Sequence, residues 1–113
     1  MKIINKKNLE VVVESLQLAD NPFKRLRGLL FTKELKKGHG LWLIPCNGIH
    51  MFGMGYAIDV LYLDKHNRVV KMIKQLLPNR LGPIVMQAKS IIEIPAGHLD
   101  QIDLSLNDEL EAV

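Results

Sequence analysis

Apolar residues fall in short runs separated by polar turns. Met1 to Ile4 and Leu9-Glu10-Val11-Val12-Val13 flank Asn5-Lys6-Lys7-Asn8, with β-branched side chains on either side. This predicts a strand, a turn and a strand. Leu16 and Leu18 alternate with Ser15 and Gln17 and extend the second strand. Asp20-Asn21-Pro22 then sets a capping side chain before a proline at the first helical position, and Gly28 supplies a stop after Phe23-Lys24-Arg25-Leu26-Arg27. The segment reads as a short helix.

Leu41 to Ile44 is an apolar run closed by Pro45, whose ring favours extended geometry in the residue before it. Ile49 to Tyr56 alternates large and small side chains and reads as a strand approached closely by other groups. Ile58-Asp59-Val60-Leu61-Tyr62-Leu63 carries the clearest strand pattern, and Asp64-Lys65-His66-Asn67 suits a hairpin turn with Asn67 left-handed. Val69 and Val70 begin a returning strand, although Ile73, Leu76 and Leu77 also fit helical spacing. Pro78 and Gly82-Pro83 mark a loop, and Ser90-Ile91-Ile92-Glu93-Ile94 is a strand stopped by Pro95. Ala96 to Gln101 fits one or two helical turns, and a turn at Asn107-Asp108 leads the last residues into a final strand. The pattern predicts one α+β domain over residues 1–113. It is mostly β, a strongly bent or barrel-like sheet of short strands with two short helices.

Composition narrows the classes of function. The chain has 113 residues, 15 basic against 12 acidic, for a formal charge of +3. That excess is too small to imply nucleic-acid or membrane binding by itself. Residues 65–92 hold Lys65, Arg68, Lys71, Lys74, Arg80 and Lys89 with no acid, and a second basic cluster spans Lys24 to Lys37. Yet 65–92 contains no Phe, Tyr or Trp to stack on bases, so nucleic acid is disfavoured and solvated strand faces are expected. No apolar window approaches the roughly 20 residues of a membrane span. The lone Cys46 and the polar start after Ile4 point to a cytoplasmic protein.

Gly40 to Met54, together with Ile58 to Asp64, Arg27-Gly28-Leu29 and Glu93-Ile94-Pro95-Ala96-Gly97, resembles the signature of the domain of unknown function 192 family. The resemblance covers nearly all of the chain from about residue 18. It implies a compact, mostly β, barrel-like domain of bacteria and archaea, in cytoplasmic and exported versions, and brings no activity with it. The family's motif falls here on Arg27, Gly28, Cys46, His50, Phe52, Met54 and Asp59. Gly55 and Ala57 depart from it, standing where a bulky basic residue and a proline are usual, and Asn107-Asp108 stands for Gly-Asp.

Three chemistries compete for these residues. Cys46, His50 and Met54 are spaced at even intervals, with Phe52 among them, so a regular strand would turn all of them to one face. Thiolate, imidazole and thioether form a soft-metal donor set, but a closed site needs three or four ligands and a thioether is a weak one. No metal is assigned. A thiol-dependent enzyme would use Cys46 as nucleophile, His50 as base and Asp59 as orienter, but no helix N-terminus follows Pro45-Cys46 to activate the thiol. The catalytic residues, if any, are not identified. The remaining reading is a ligand-binding or accessory module, with Arg27, His50, Phe52, Met54 and Asp59 around a shallow pocket for a small-molecule or anionic ligand. Asp59, within an apolar strand, needs a partner if buried, and Arg27 is the expected one. Neither the residues nor the resemblance names a cofactor or an oligomeric state.

Overall fold

The computed structural model describes residues 1–29 and 32–113. The described residues form eight strands: β1 (Ile3–Asn5), β2 (Val11–Val13), β3 (Ser15–Ala19), β4 (His39–Leu43), β5 (Ile58–Leu63), β6 (Val69–Leu76), β7 (Ser90–Pro95) and β8 (Leu110–Ala112). They form a three-stranded sheet ordered β2-β1-β8 and a five-stranded sheet ordered β3-β4-β7-β5-β6. Only β3 and β4 pair in parallel within the larger sheet, and helix α1 (Pro22–Arg27) lies on the connection between them.

Each face of the five-stranded sheet is covered differently. On one face Leu16, Trp42, Leu61, Leu63, Ile92 and Ile94 pack against Ile3, Val12, Val13 and Leu110 of the smaller sheet. On the other face Leu41, Leu43, Ile58, Val60, Tyr62 and Ile91 are covered by Leu29, Met51, Met54 and Ala88, all outside the strands. Both faces are dry, so β5 is buried along its full length and reads as an almost unbroken apolar run. Loops cover a sheet less evenly than another sheet does, and the cavity described below lies on the loop-covered face.

Several sequence expectations meet the structure directly. Asn21 caps α1 by accepting the amide of Lys24 at 2.9 Å, Pro22 opens the helix, and Gly28 ends it at φ +49° with its N–H on the carbonyl of Lys24. Asp64 Oδ1 accepts the amides of His66 and Arg68, and Asn67 takes φ +60° in the turn between β5 and β6. The strand reading of 69–76 prevails over the helical one, because β6 is fixed by its pairing with β5.

Other expectations are corrected. The sheets pack face to face and do not close into a barrel. The second helix is reduced to a single 3-10 turn, His98–Asp100, after Gly97 at φ +89°. Residues 49–56 form no strand. Gly53 at φ +82° breaks the pleat, and His50 alone makes an isolated bridge, to Leu81. No described helix is long and apolar enough to cross a membrane.

Candidate functional site

The loop after β4 and the exposed end of α1 border a half-open cavity of about 150 Å³. Arg25, Arg27, Cys46, His50, Met54 and Glu93 supply its chemistry, with Gly28, Leu29, Leu43 and Ile49 among the remaining walls. Helix α1 buries none of its own side chains, so packing does not explain it. Arg25 and Arg27 are among its residues that line the cavity, and the Arg25 guanidinium donates to the carbonyl of Ile44 at 3.1 Å. Neither arginine has an acidic partner among the described residues.

Glu93 lies on the sheet side of the cavity. It pairs in register with Leu41 of β4 and Val60 of β5, both on the loop-covered apolar face, and is only 6% exposed. One of its carboxyl oxygens lies 3.7 Å from the point where a Cβ on Gly28 would stand. No described residue hydrogen-bonds or ion-pairs with this carboxyl. Burial pushes its pKa up to about 7, as expected when a carboxyl loses water and gains no partner.

Cys46 sits within the same cavity, half-buried, with its thiol donating to the carbonyl of Gly48 at 3.2 Å. Burial pushes the thiol pKa up, the backbone hydrogen bond with Gly48 opposes that rise, Glu93 adds to it, and Arg25 opposes it. A thiol held protonated is a poor nucleophile. His50 is exposed and stacks on Phe52 with ring centroids 5.6 Å apart. Met54 is buried at the wall. Backbone hydrogen bonds from 79–85 to 47–51 hold this wall in place: Met51 N–H to Arg80, Gly82 N–H to Ile49, and Val85 N–H to Asn47.

Arg27, His50 and Met54, three of the five residues expected around a pocket, therefore line one cavity, and Cys46 joins them. The reason is loop winding, since no strand carries 49–56. Phe52 stands outside as the half-exposed partner of the His50 ring. Asp59 is corrected outright. It points to the opposite face of the sheet, in register with Ile94, and its two oxygens accept the amides of Gln75 at 2.8 Å and Leu99 at 2.9 Å. The expected Arg27–Asp59 pair is not formed. Among the described residues no three His, Cys, Asp or Glu side chains gather into a metal-binding set.

Sequence reasoning missed Arg25 and Glu93. Arg25 is two residues away from the expected Arg27 and lacks any distinguishing neighbour. Glu93 carried the same signal that drew attention to Asp59, an acid within an apolar strand, but alternation alone does not say which face is dry.

The family model described as Uncharacterized ACR, DUF192, matches residues 3–112. A UPF0127 protein of Thermococcus sibiricus is 34% identical over 114 residues, covering 96% of this chain and 73% of its own. Among solved structures, a protein of unknown function from Novosphingobium aromaticivorans superposes with a TM-score of 0.83 at 18% identity, covering 98% of this chain and 82% of its own. A Sinorhizobium meliloti chain described as a candidate transcription regulator superposes with a TM-score of 0.81 at 17% identity, covering 97% of this chain and 89% of its own. At these identities the two structures are similar in fold.

Proposed function

We propose, from the premise that this chain belongs to the DUF192 family, that it is a ligand-binding module whose cavity takes a small anionic molecule. The observation that carries the reading is the pair of arginines, Arg25 and Arg27, lining a half-open cavity without an acidic partner among the described residues. A guanidinium anchored as Arg25 is, on the carbonyl of Ile44, keeps further N–H donors for a carboxylate or phosphate, and Arg27 adds positive charge at the same rim. His50 and Met54 complete the contacts, with Phe52 steadying the imidazole from outside. Asp59 acts at a distance, by fixing the strands beneath. The cavity's volume of about 150 Å³ suits a small occupant, well below the roughly 300 Å³ at which drug-sized sites begin. Cytoplasmic residence and a single domain over 1–113 belong to this reading, and nucleic acid does not.

The thiol-enzyme alternative is weaker because burial raises the Cys46 pKa in spite of its hydrogen bond with Gly48. The test is an NMR titration of the labelled full chain with acetate, lactate and inorganic phosphate. Saturable shifts at Arg25, Arg27, Cys46 and His50 are expected, with at least a tenfold loss of affinity in Arg25→Ala or Arg27→Ala. Non-saturating shifts for every probe, unchanged in both variants, would sink the reading.

A further inference from the structure

The cavity has a second pole that an anion does not use. Arg25 and Arg27 belong to α1, whereas Glu93 belongs to β7, flanked by Leu41 and Val60, with a carboxyl oxygen beside Gly28 at the end of α1. Cys46 lines the same cavity, close enough for its thiol to feel both Glu93 and Arg25. The other ionisable groups lining the cavity or close to Glu93 are His50 and Tyr56, on the loop after β4. Nothing among the described residues offsets the cost of burying the Glu93 carboxyl, although the same sheet fully satisfies Asp59 on its other face. An unpaired acid directed into a cavity indicates a partner that arrives with the ligand.

We propose that the occupant is a short zwitterion, its anionic end on Arg25 and Arg27 and a protonated amine on Glu93. This rests on the anion-binding reading above and specifies the ligand's other end. An ammonium group beside Glu93 supplies the hydrogen bonds and countercharge that the folded chain lacks. Small uncharged-tail anions satisfy only one pole. Zwitterions of graded length satisfy both at one spacing.

The experiment is calorimetric titration of the full chain at pH 8 with glycine, β-alanine and 4-aminobutyrate, each against its amine-free counterpart: acetate, propionate and butyrate. At least one amino compound is expected to bind tenfold or more tightly than its counterpart, with the gap abolished in Glu93→Gln while the affinity for the simple anion is retained. Should that variant fail to fold, the wild type supplies the second measurement. Glu93 must lose its proton to hold the amine, so zwitterion affinity is expected to fall by about tenfold or more from pH 8 to pH 5.5. The same series in His50→Gln separates the imidazole from the carboxyl. If anions bind and the amine adds nothing at any length, the zwitterion inference falls and the anion reading stands. If no carboxylate binds and the arginine variants change nothing, both fall together.

Discussion

Asp59 and Glu93 lie on paired neighbouring strands, one residue out of register, and face opposite sides of the same sheet. Both are almost completely buried. Asp59 meets two backbone amides, one from the irregular β5–β6 pairing at Gln75 and one from the 3-10 turn at Leu99, whereas Glu93 meets none among the described residues. One acid therefore holds the fold together and the other is left available to the cavity.

The contrast has a pH signature. With its folded pKa raised from an ordinary 4.5 to about 7, Glu93 keeps a proton that the unfolded chain has already released. Its contribution to stability is complete below about pH 4.5 and is lost as pH rises through 7, by roughly 3 kcal/mol across the window. Chemical denaturation of wild type and Glu93→Gln between pH 4.5 and 8 is expected to give a falling difference curve. Parallel profiles for the two proteins would contradict the assignment.

For Asp59 the prediction concerns packing and hydrogen bonds, not the ligand. Asp59→Asn keeps one acceptor but sets an amide NH2 against a buried backbone N–H, which costs about 1–3 kcal/mol. Urea unfolding should register that loss. Hydrogen exchange should show faster opening at Gln75 and Leu99, and the affinity for small anions should change by less than threefold. A variant as stable as wild type would mean the two amides find other partners.

How far the sequence carried these conclusions depends on the range of the signal. Asn21-Pro22, Gly28 and Asn67 act through their own backbone geometry, so the helix and the hairpin turn were legible in the residues themselves. Strand pairing decides what local pattern leaves open. Ile73, Leu76 and Leu77 fit two periods, and only the partner strand β5 fixes the extended one. Residues 49–56 failed in the opposite direction, since alternation predicted a strand where Gly53 turns the chain and hydrogen bonds to 79–85 replace a ladder. His50 and Met54 still reached the cavity with Cys46, but the route runs over a loop. Glu93 stayed hidden because the dryness of its face is created by Leu29, Met51 and Met54, all distant in sequence.

Two glycines give a matched test of the wall. A Cβ on Gly82 would stand 2.9 Å from both the Tyr62 hydroxyl and Ile49 Cγ1, and 3.2 Å from the Ile49 carbonyl oxygen. That hydroxyl donates to the carbonyl of Pro83, so the clash falls on a fixed group. Gly82→Ala should cost about 1–3 kcal/mol as an overpacked site. Gly55 has nothing within 4 Å of the same position, and Gly55→Ala should stay within about 0.5 kcal/mol of wild type. Thermal unfolding of the two variants decides it, and equal stability would place the 79–85 segment elsewhere.

The Cys46 thiol should label slowly. Its pKa is raised by burial, with Glu93 adding to the rise against the lowering effects of the Gly48 backbone and Arg25, so little thiolate is present at neutral pH to attack a disulfide or alkylating reagent. Reaction with a chromogenic disulfide at pH 7 is expected to be at least about tenfold slower in the folded chain than in urea, where exposure and an ordinary pKa return together. Glu93→Gln removes the neighbouring negative charge and should speed labelling severalfold above pH 7, while Arg25→Ala should slow it. Fast labelling of the folded wild type, insensitive to Glu93, would mean the thiol is activated and would bring the nucleophilic reading of Cys46 and His50 back to the front.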